Sequence, residues 1–134
     1  MNRAILCSAI EGLVSEFGYN FMLDDIACYP TTVCHYPAAF MSQPQFQCME
    51  GRKNGKITYA VSLQFAQQGA KLSPIEQNSL LQEMEQQMVE MFVQLSKEEG
   101  IAVVEELTIT PASPTIDSHG ALSIVGKARV VTIF

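Results

Sequence analysis

The sequence predicts an α+β domain, an antiparallel β-sheet with two helices packed on one face. Three observations carry this. Ser73-Pro74-Ile75-Glu76 opens a long amphipathic helix, Asn54-Gly55 turns a hairpin ahead of an alternating strand, and residues 121–134 read as strand up to Phe134. A chain of 134 residues suffices for one core, burying roughly two-thirds of the surface its unfolded form exposes. The pattern leaves nothing for a linker, so one domain over residues 1–134 is expected.

In the first element, Ile5, Leu6, Ala9, Ile10, Leu13, Val14 and Phe17 recur at helical spacing. Glu11 and Glu16 fall outside that stripe, and Gly18 stops the helix. Between Tyr19 and Pro44 the pattern is sparse. Asp24-Asp25 reads as a turn, and Pro30, Pro37 and Pro44 break any long element. Short apolar pieces around Phe21 and within residues 32–41 fit strands at a sheet edge, where proline is tolerated.

The hairpin strand follows. Ile57, Tyr59, Val61, Leu63 and Phe65 share one face, while Thr58, Ala60, Ser62 and Gln64 share the other. A two-residue Asn54-Gly55 turn pairs Phe46 with Leu63, Cys48 with Val61 and Glu50 with Tyr59. That register places Phe46 and Cys48 on the core face.

Ser73 is the N-cap of the second helix, Pro74 occupies the position where a missing N–H costs nothing, and Glu76 completes a capping box. The helix is expected over residues 74–98. Leu81, Met84, Met88, Met91 and Leu95 repeat at threes and fours, Leu80 and Phe92 widen the stripe, and Gly100 ends it. The methionine stripe reads as core rather than as an adaptable partner-binding groove, the other use of easily repacked thioethers. Strands over residues 101–110 and 121–134 close the pattern, joined by a loop with Pro111, Pro114, Asp117 and Gly120. Phe134 is an aromatic core candidate.

Composition narrows the function classes. The net charge of −6 argues against coating nucleic acid, which requires clustered Lys and Arg, and only Arg52, Lys53 and Lys56 cluster. Charged residues are 16% of the chain, against about 25% in an ordinary domain. Glutamines fill the deficit, and a neutral polar surface loses less on desolvation, which suits burial against another subunit. The first residues do not form a signal peptide, and no stretch approaches the roughly 20 apolar residues that span a bilayer. The chain is therefore expected to be soluble, to remain where it is made and to contact no membrane. Cys7, Cys28, Cys34 and Cys48 then read as thiols.

The candidate chemistry dissolves residue by residue. Cys28 and Cys34 lie farther apart than the pairs of structural zinc sites, and His35 beside Cys34 cannot easily share one metal with it. Asp117-Ser118-His119 holds the residue types of a hydrolase triad, but consecutive side chains diverge, and with Gly120 they read as turn formers. Asp24-Asp25 reads as a solvated turn. Gly51 and Gly55 bracket a hairpin tip and lack the strand-to-helix context of a phosphate loop. No catalytic, cofactor or metal site is expected.

Two surfaces remain. The tip residues Arg52, Lys53, Asn54 and Lys56 are either a docking element for an acidic partner or charged protection of a protruding turn. On the second helix, Glu83, Gln86, Gln87, Glu90 and Gln94 form either a polar oligomer contact or a solvated face.

The run Tyr36-Pro37-Ala38-Ala39-Phe40, the strand Thr58-Tyr59-Ala60-Val61-Ser62-Leu63-Gln64-Phe65, the capped helix, and Gly126-Lys127-Ala128-Arg129-Val130-Val131-Thr132-Ile133-Phe134 cover most of the chain. Together they resemble the tail terminator and minor tail proteins of long-tailed bacteriophages. The likeness lies in element order and pattern and involves no invariant chemical residue. It implies a non-enzymatic protein forming a homo-oligomeric ring, expected to be a hexamer, that caps the tail tube and joins other tail or head-joining proteins. Its location would be the cytoplasm of a bacterial host and then the virion tail. The Cys-rich segment 27–35 and the proline-rich loop 111–120 depart from the family pattern and leave ring size and docking partner open. Two alternatives stand beside it: a small α+β binding module of a mobile element, dimeric through a sheet edge, or an enzyme with a pocket built from Asp24, Asp25, His35 or His119.

Overall fold

A computed structural model describes residues 2–24, 36–69, 71–116 and 121–134. The elements are α1 (Asn2–Glu16), β1 (Asn20–Asp24), β2 (Ala38–Ser42), β3 (Gln45–Glu50), β4 (Lys56–Gln68), α2 (Pro74–Leu95), β5 (Ile101–Ile116) and β6 (Ala121–Ile133). The class is α+β, as the sequence predicts. The strands form one six-stranded sheet in the order β1-β2-β4-β6-β5, with β3 also pairing β4.

The sheet is mixed rather than purely antiparallel. β1 runs parallel to β2, from Asn20 opposite Ala38 to Asp24 opposite Ser42. Asp24 therefore ends a strand instead of forming a turn; Asp25 lies outside the described residues. β2 is an interior strand between β1 and β4.

The longest ladder joins β4 to β6 in unbroken register from Lys56 opposite Ile133 to Gln68 opposite Ala121. On its other edge β4 is shared. β2 lies against Leu63 to Ala66 and β3 against Lys56 to Ala60. Buried Pro44, which has no N–H to satisfy, sits where the chain passes from one to the other.

Sharing that edge explains why the expected hairpin register is wrong. Glu50 pairs with Lys56, Cys48 with Thr58 and Phe46 with Tyr59, with a bulge at Gln47. Leu63 is already opposite Met41 of β2, so Phe46 cannot reach it. The connection is residues 51–55, not two residues, because Gly51 adopts φ +92 and starts the reversal early. A Cβ on Gly51 would lie 2.7 Å from the Gly55 Cα. Phe46 and Cys48 consequently lie outside the core: Phe46 is 58% exposed and Cys48 is also exposed.

One face of the sheet carries both helices. Leu6, Ile10, Leu13 and Val14 of α1 and Met84, Met88, Met91, Phe92 and Leu95 of α2 are buried against Tyr59, Val61, Leu63 and Phe65 of β4 and Ile124, Ala128 and Val130 of β6. Gly126 interrupts the β6 row directly beneath Met88, whose Sδ would collide with any Cβ there. The start of α2 follows the expected box: the Glu76 N–H donates to Ser73 Oγ (3.3 Å) and the Ser73 N–H donates to Glu76 Oε1 (3.4 Å). The helix ends at Leu95, a turn earlier than its pattern suggests. On the opposite face a small apolar group of Ala38, Phe40 and Ala66 packs with Met22 and Tyr36.

At the end of the chain two further expectations fail. β5 continues through Pro111, which faces Ile124, to Ile116, so the prolines expected in a loop fall within a strand. β5 is an edge strand, where proline leaves no interior ladder unmade. Phe134 is 42% exposed, outside the core, because the strand carries it past the last covered row of the sheet. No helix among the described residues is long and apolar enough to cross a membrane.

Candidate functional site

The hairpin tip is held by the last residue of the sequence. The Phe134 N–H donates to Gly55 O (3.0 Å), and the Phe134 ring lies over Gly55 so closely that a Cβ there would collide with it. Gly55 is buried while its neighbours are not. A basic loop of this composition has no apolar side chain of its own to pack, and Phe134 provides one from outside. Arg52, Lys53, Asn54 and Lys56 all remain exposed around this anchor, at one end of the sheet.

The helix face divides. Glu83, Gln86, Glu90 and Gln94 are exposed, and the Gln86 amide donates to Glu90 Oε1 one turn on (3.3 Å). Gln87 does not belong with them. It accepts a hydrogen bond from the Tyr19 hydroxyl (2.5 Å), which in turn accepts one from the Gln67 amide (2.8 Å). Tyr19 stacks on Phe65 with ring centroids 4.1 Å apart, so the chain Gln67–Tyr19–Gln87 ties α2 to the sheet from inside. A buried hydroxyl needs partners, and Gln87 is consumed as one. Burial pushes the Tyr19 hydroxyl above its ordinary pKa, with the Gln67 hydrogen bond working against the shift and Glu83 adding to it.

The helix-free face of the sheet carries a groove of about 550 Å³ whose rim includes Gln43, Gln45, Gln47, Thr108, Lys127 and Arg129. Arg129 Nε donates to Gln47 Oε1 (3.0 Å), and its guanidinium lies 3.7 Å from Glu106 and 4.0 Å from Glu105. These pairs are open to solvent and contribute at most about 1 kcal/mol each. The lining offers amides, hydroxyls and two cations, Lys127 and the paired Arg129.

Cys28, Cys34, His35, Asp117, Ser118 and His119 lie outside the described residues, as does Asp25. Among the described residues no group of three His, Cys, Asp or Glu side chains is placed to hold a metal. Burial raises the pKa of the Cys7 thiol, an inert setting, while Arg3 opposes the shift and Glu11 adds to it.

One feature escapes the sequence reading. β3 presents Phe46 and Met49, 58% and 54% exposed, on the helix side of a strand that among the described strands pairs only with β4. Phe46 meets Tyr59 edge-on at 6.1 Å, and Arg3 lies 5.5 Å over the same Tyr59 ring. The two-residue turn expected at Asn54-Gly55 assigns Phe46 to the core, whereas the longer connection sets it opposite Tyr59 at an exposed edge. Comparison with models of known families finds no match for this chain, and none of the curated proteins searched matches it.

Proposed function

We propose that this protein is a non-enzymatic assembly protein, the tail terminator of a phage or prophage, which forms a ring at the end of the tail tube and receives other tail or head-joining proteins there. The observation that carries the reading is element order. With β1 and β5 interposed, a helix, the strand entered through Tyr36-Pro37, a hairpin, a helix laid across the sheet and a closing strand follow one another in the order expected of that family. Further support comes from surface character. The exposed face of α2 mixes the neutral amides Asn78, Gln82, Gln86 and Gln94 with glutamates, and a strand edge carries exposed Phe46 and Met49, suited to burial against protein. The reading assigns the chain no catalytic residue, cofactor, metal or nucleic acid, and places it in the host cytoplasm before it enters the virion tail.

Light scattering on purified protein well above micromolar concentration tests the ring. The expected result is one species of defined subunit number, six on the family likeness, which negative-stain images show as annular. A monomer at every concentration, in both low and high salt, would refute it. A second reading, a small interaction module dimeric through a sheet edge, is favoured by the same exposed β3 strand and would appear as a dimer that grows no further. Capsid, tail-tube and tape-measure genes beside this one would support the first reading over the second.

A further inference from the structure

The ladders align residues in rows across the whole sheet. Cys48 of β3 is opposite Thr58, Thr58 opposite Val131, and Val131 opposite Val103 of β5. One row over, Phe46, Tyr59, Val130 and Val104 line up, and on the other side Met49, Ile57, Thr132 and Ile101 do so. β3 and the first half of β5 are thus at the same level on opposite sides of the sheet, and among the described strands each has a neighbour on one side only. β3 also runs antiparallel to β5, since each of the three intervening ladders is antiparallel.

A second copy carried sideways at the same level would therefore bring its β3 against β5 as one more antiparallel strand. Three properties of the two edges complement each other in that arrangement. At the end of the sheet, the tip with exposed Arg52, Lys53 and Lys56 arrives beside the turn before β5, which exposes Glu98 and Glu99 together with Lys97. On the helix side, Phe46 and Met49 arrive beneath the outer flank of α2. Gln87 marks the inner flank by its bond to Tyr19, and Val89 and Val93 stand on the far side of the helical wheel from it, 44% and 47% exposed. Along the strand, the bulge at Gln47 is the one guard of a free edge that β3 carries. It has no proline, and its only charge is Glu50 at its end, opposite Lys56.

We infer that the β3 edge with its basic tip is one half of a subunit contact whose other half is the β5 edge, Glu98, Glu99 and the Val89–Val93 flank of a second copy of this chain, so that the sheet runs on from subunit to subunit. The two halves are different surfaces, which makes the contact head-to-tail and lets repetition close a ring, whereas pairing two β3 edges about a two-fold axis would stop at a dimer. The inference rests on the proposed self-association and names the surface that performs it. It commits the tip to a sister subunit in place of an unrelated acidic partner.

Cysteine trapping tests it. Cys48 is exposed and shares its row with Val103, 39% exposed, so Val103→Cys in one copy meets the native thiol of the next at the short separation of facing antiparallel residues. Mild oxidation of the Val103→Cys protein should give a covalent ladder of subunit multiples on a non-reducing denaturing gel, abolished by adding Cys48→Ser. In parallel, Arg52→Glu with Lys53→Glu, and separately Glu98→Lys with Glu99→Lys, should each weaken association about tenfold at low salt, and an equimolar mixture of the two variants should recover it. Assembly that survives both charge reversals, with no Cys48-dependent ladder, overturns the contact and leaves a ring held by some other surface. A wild-type protein that stays monomeric overturns the ring itself.

Discussion

Met88 of α2 rests on Gly126 of β6, and their coupling has a calculable size. Gly126 is in a strand row flanked by Ile124 and Ala128, without the positive φ that would reserve it for glycine, so its small size is set by Met88 above it. Gly126→Ala relieves backbone entropy by about 0.5–1 kcal/mol. It also forces the fully buried Met88 thioether off its site, an overpacking of about 1–3 kcal/mol. The net should be a loss of about 0.5–2 kcal/mol. Met88→Ala alone opens a cavity and should cost about 2–5 kcal/mol. The double variant should be more stable than Met88→Ala, because the new methyl enters the space the thioether leaves and only the entropy gain remains. A coupling of about 1–3 kcal/mol between the two changes is expected. Urea unfolding followed by circular dichroism measures it from the midpoints, provided the m-values stay equal. Strictly additive losses would show that Met88 does not rest on Gly126 and that the docking of α2 is misdescribed.

Leu63→Ala removes a fully buried side chain and should cost about 2–5 kcal/mol by the same denaturation assay. Ser73→Ala deletes the hydroxyl that accepts from Glu76 and should lower stability by about 0.5–2 kcal/mol, with hydrogen exchange rising first in the opening turn of α2. Tyr19→Phe keeps the stack on Phe65 but leaves Gln67 and Gln87 without their shared partner, at about 1–3 kcal/mol. The raised Tyr19 pKa also has a sign: the fold favours the protonated hydroxyl, so its contribution is whole below the ordinary value of about 10 and fades as pH rises through the folded value. The stability gap between wild type and Tyr19→Phe should accordingly narrow above about pH 10, and a gap that widened there would contradict the burial of that hydroxyl. Assembly held mainly by backbone pairing and apolar contact should persist in high salt, since screening acts on exposed charges, and dissociation by salt alone would contradict it.

What the sequence alone determined are features whose cause lies within one turn or one strand. The capping box of Ser73 and Glu76, the Met84-Met88-Met91-Leu95 stripe and the inward row Tyr59-Val61-Leu63-Phe65 are local arrangements. Their hydrogen bonds and periodicities are complete within a few residues, so the fold class and both helices were legible. The exposure of Arg52, Lys53, Asn54 and Lys56 was legible for the same reason. The tertiary structure alone decided which strand occupies each length of the β4 edge, since Met41 and Phe46 come from different segments and only one can face Leu63. That competition shifted the hairpin, exposed Phe46 and left β3 with one neighbour among the described strands. Similarly, Gln87 looked like its exposed neighbours until Tyr19, distant in sequence, needed a hydrogen-bond partner, and Phe134 looked like core until the strand carried it past the covered rows. The alignment of Cys48 with Val103, and of the basic tip with Glu98 and Glu99, spans three ladders, and no periodicity along one chain encodes it. Register between strands is a long-range choice made by packing energy, and it is there that the candidate subunit contact resides.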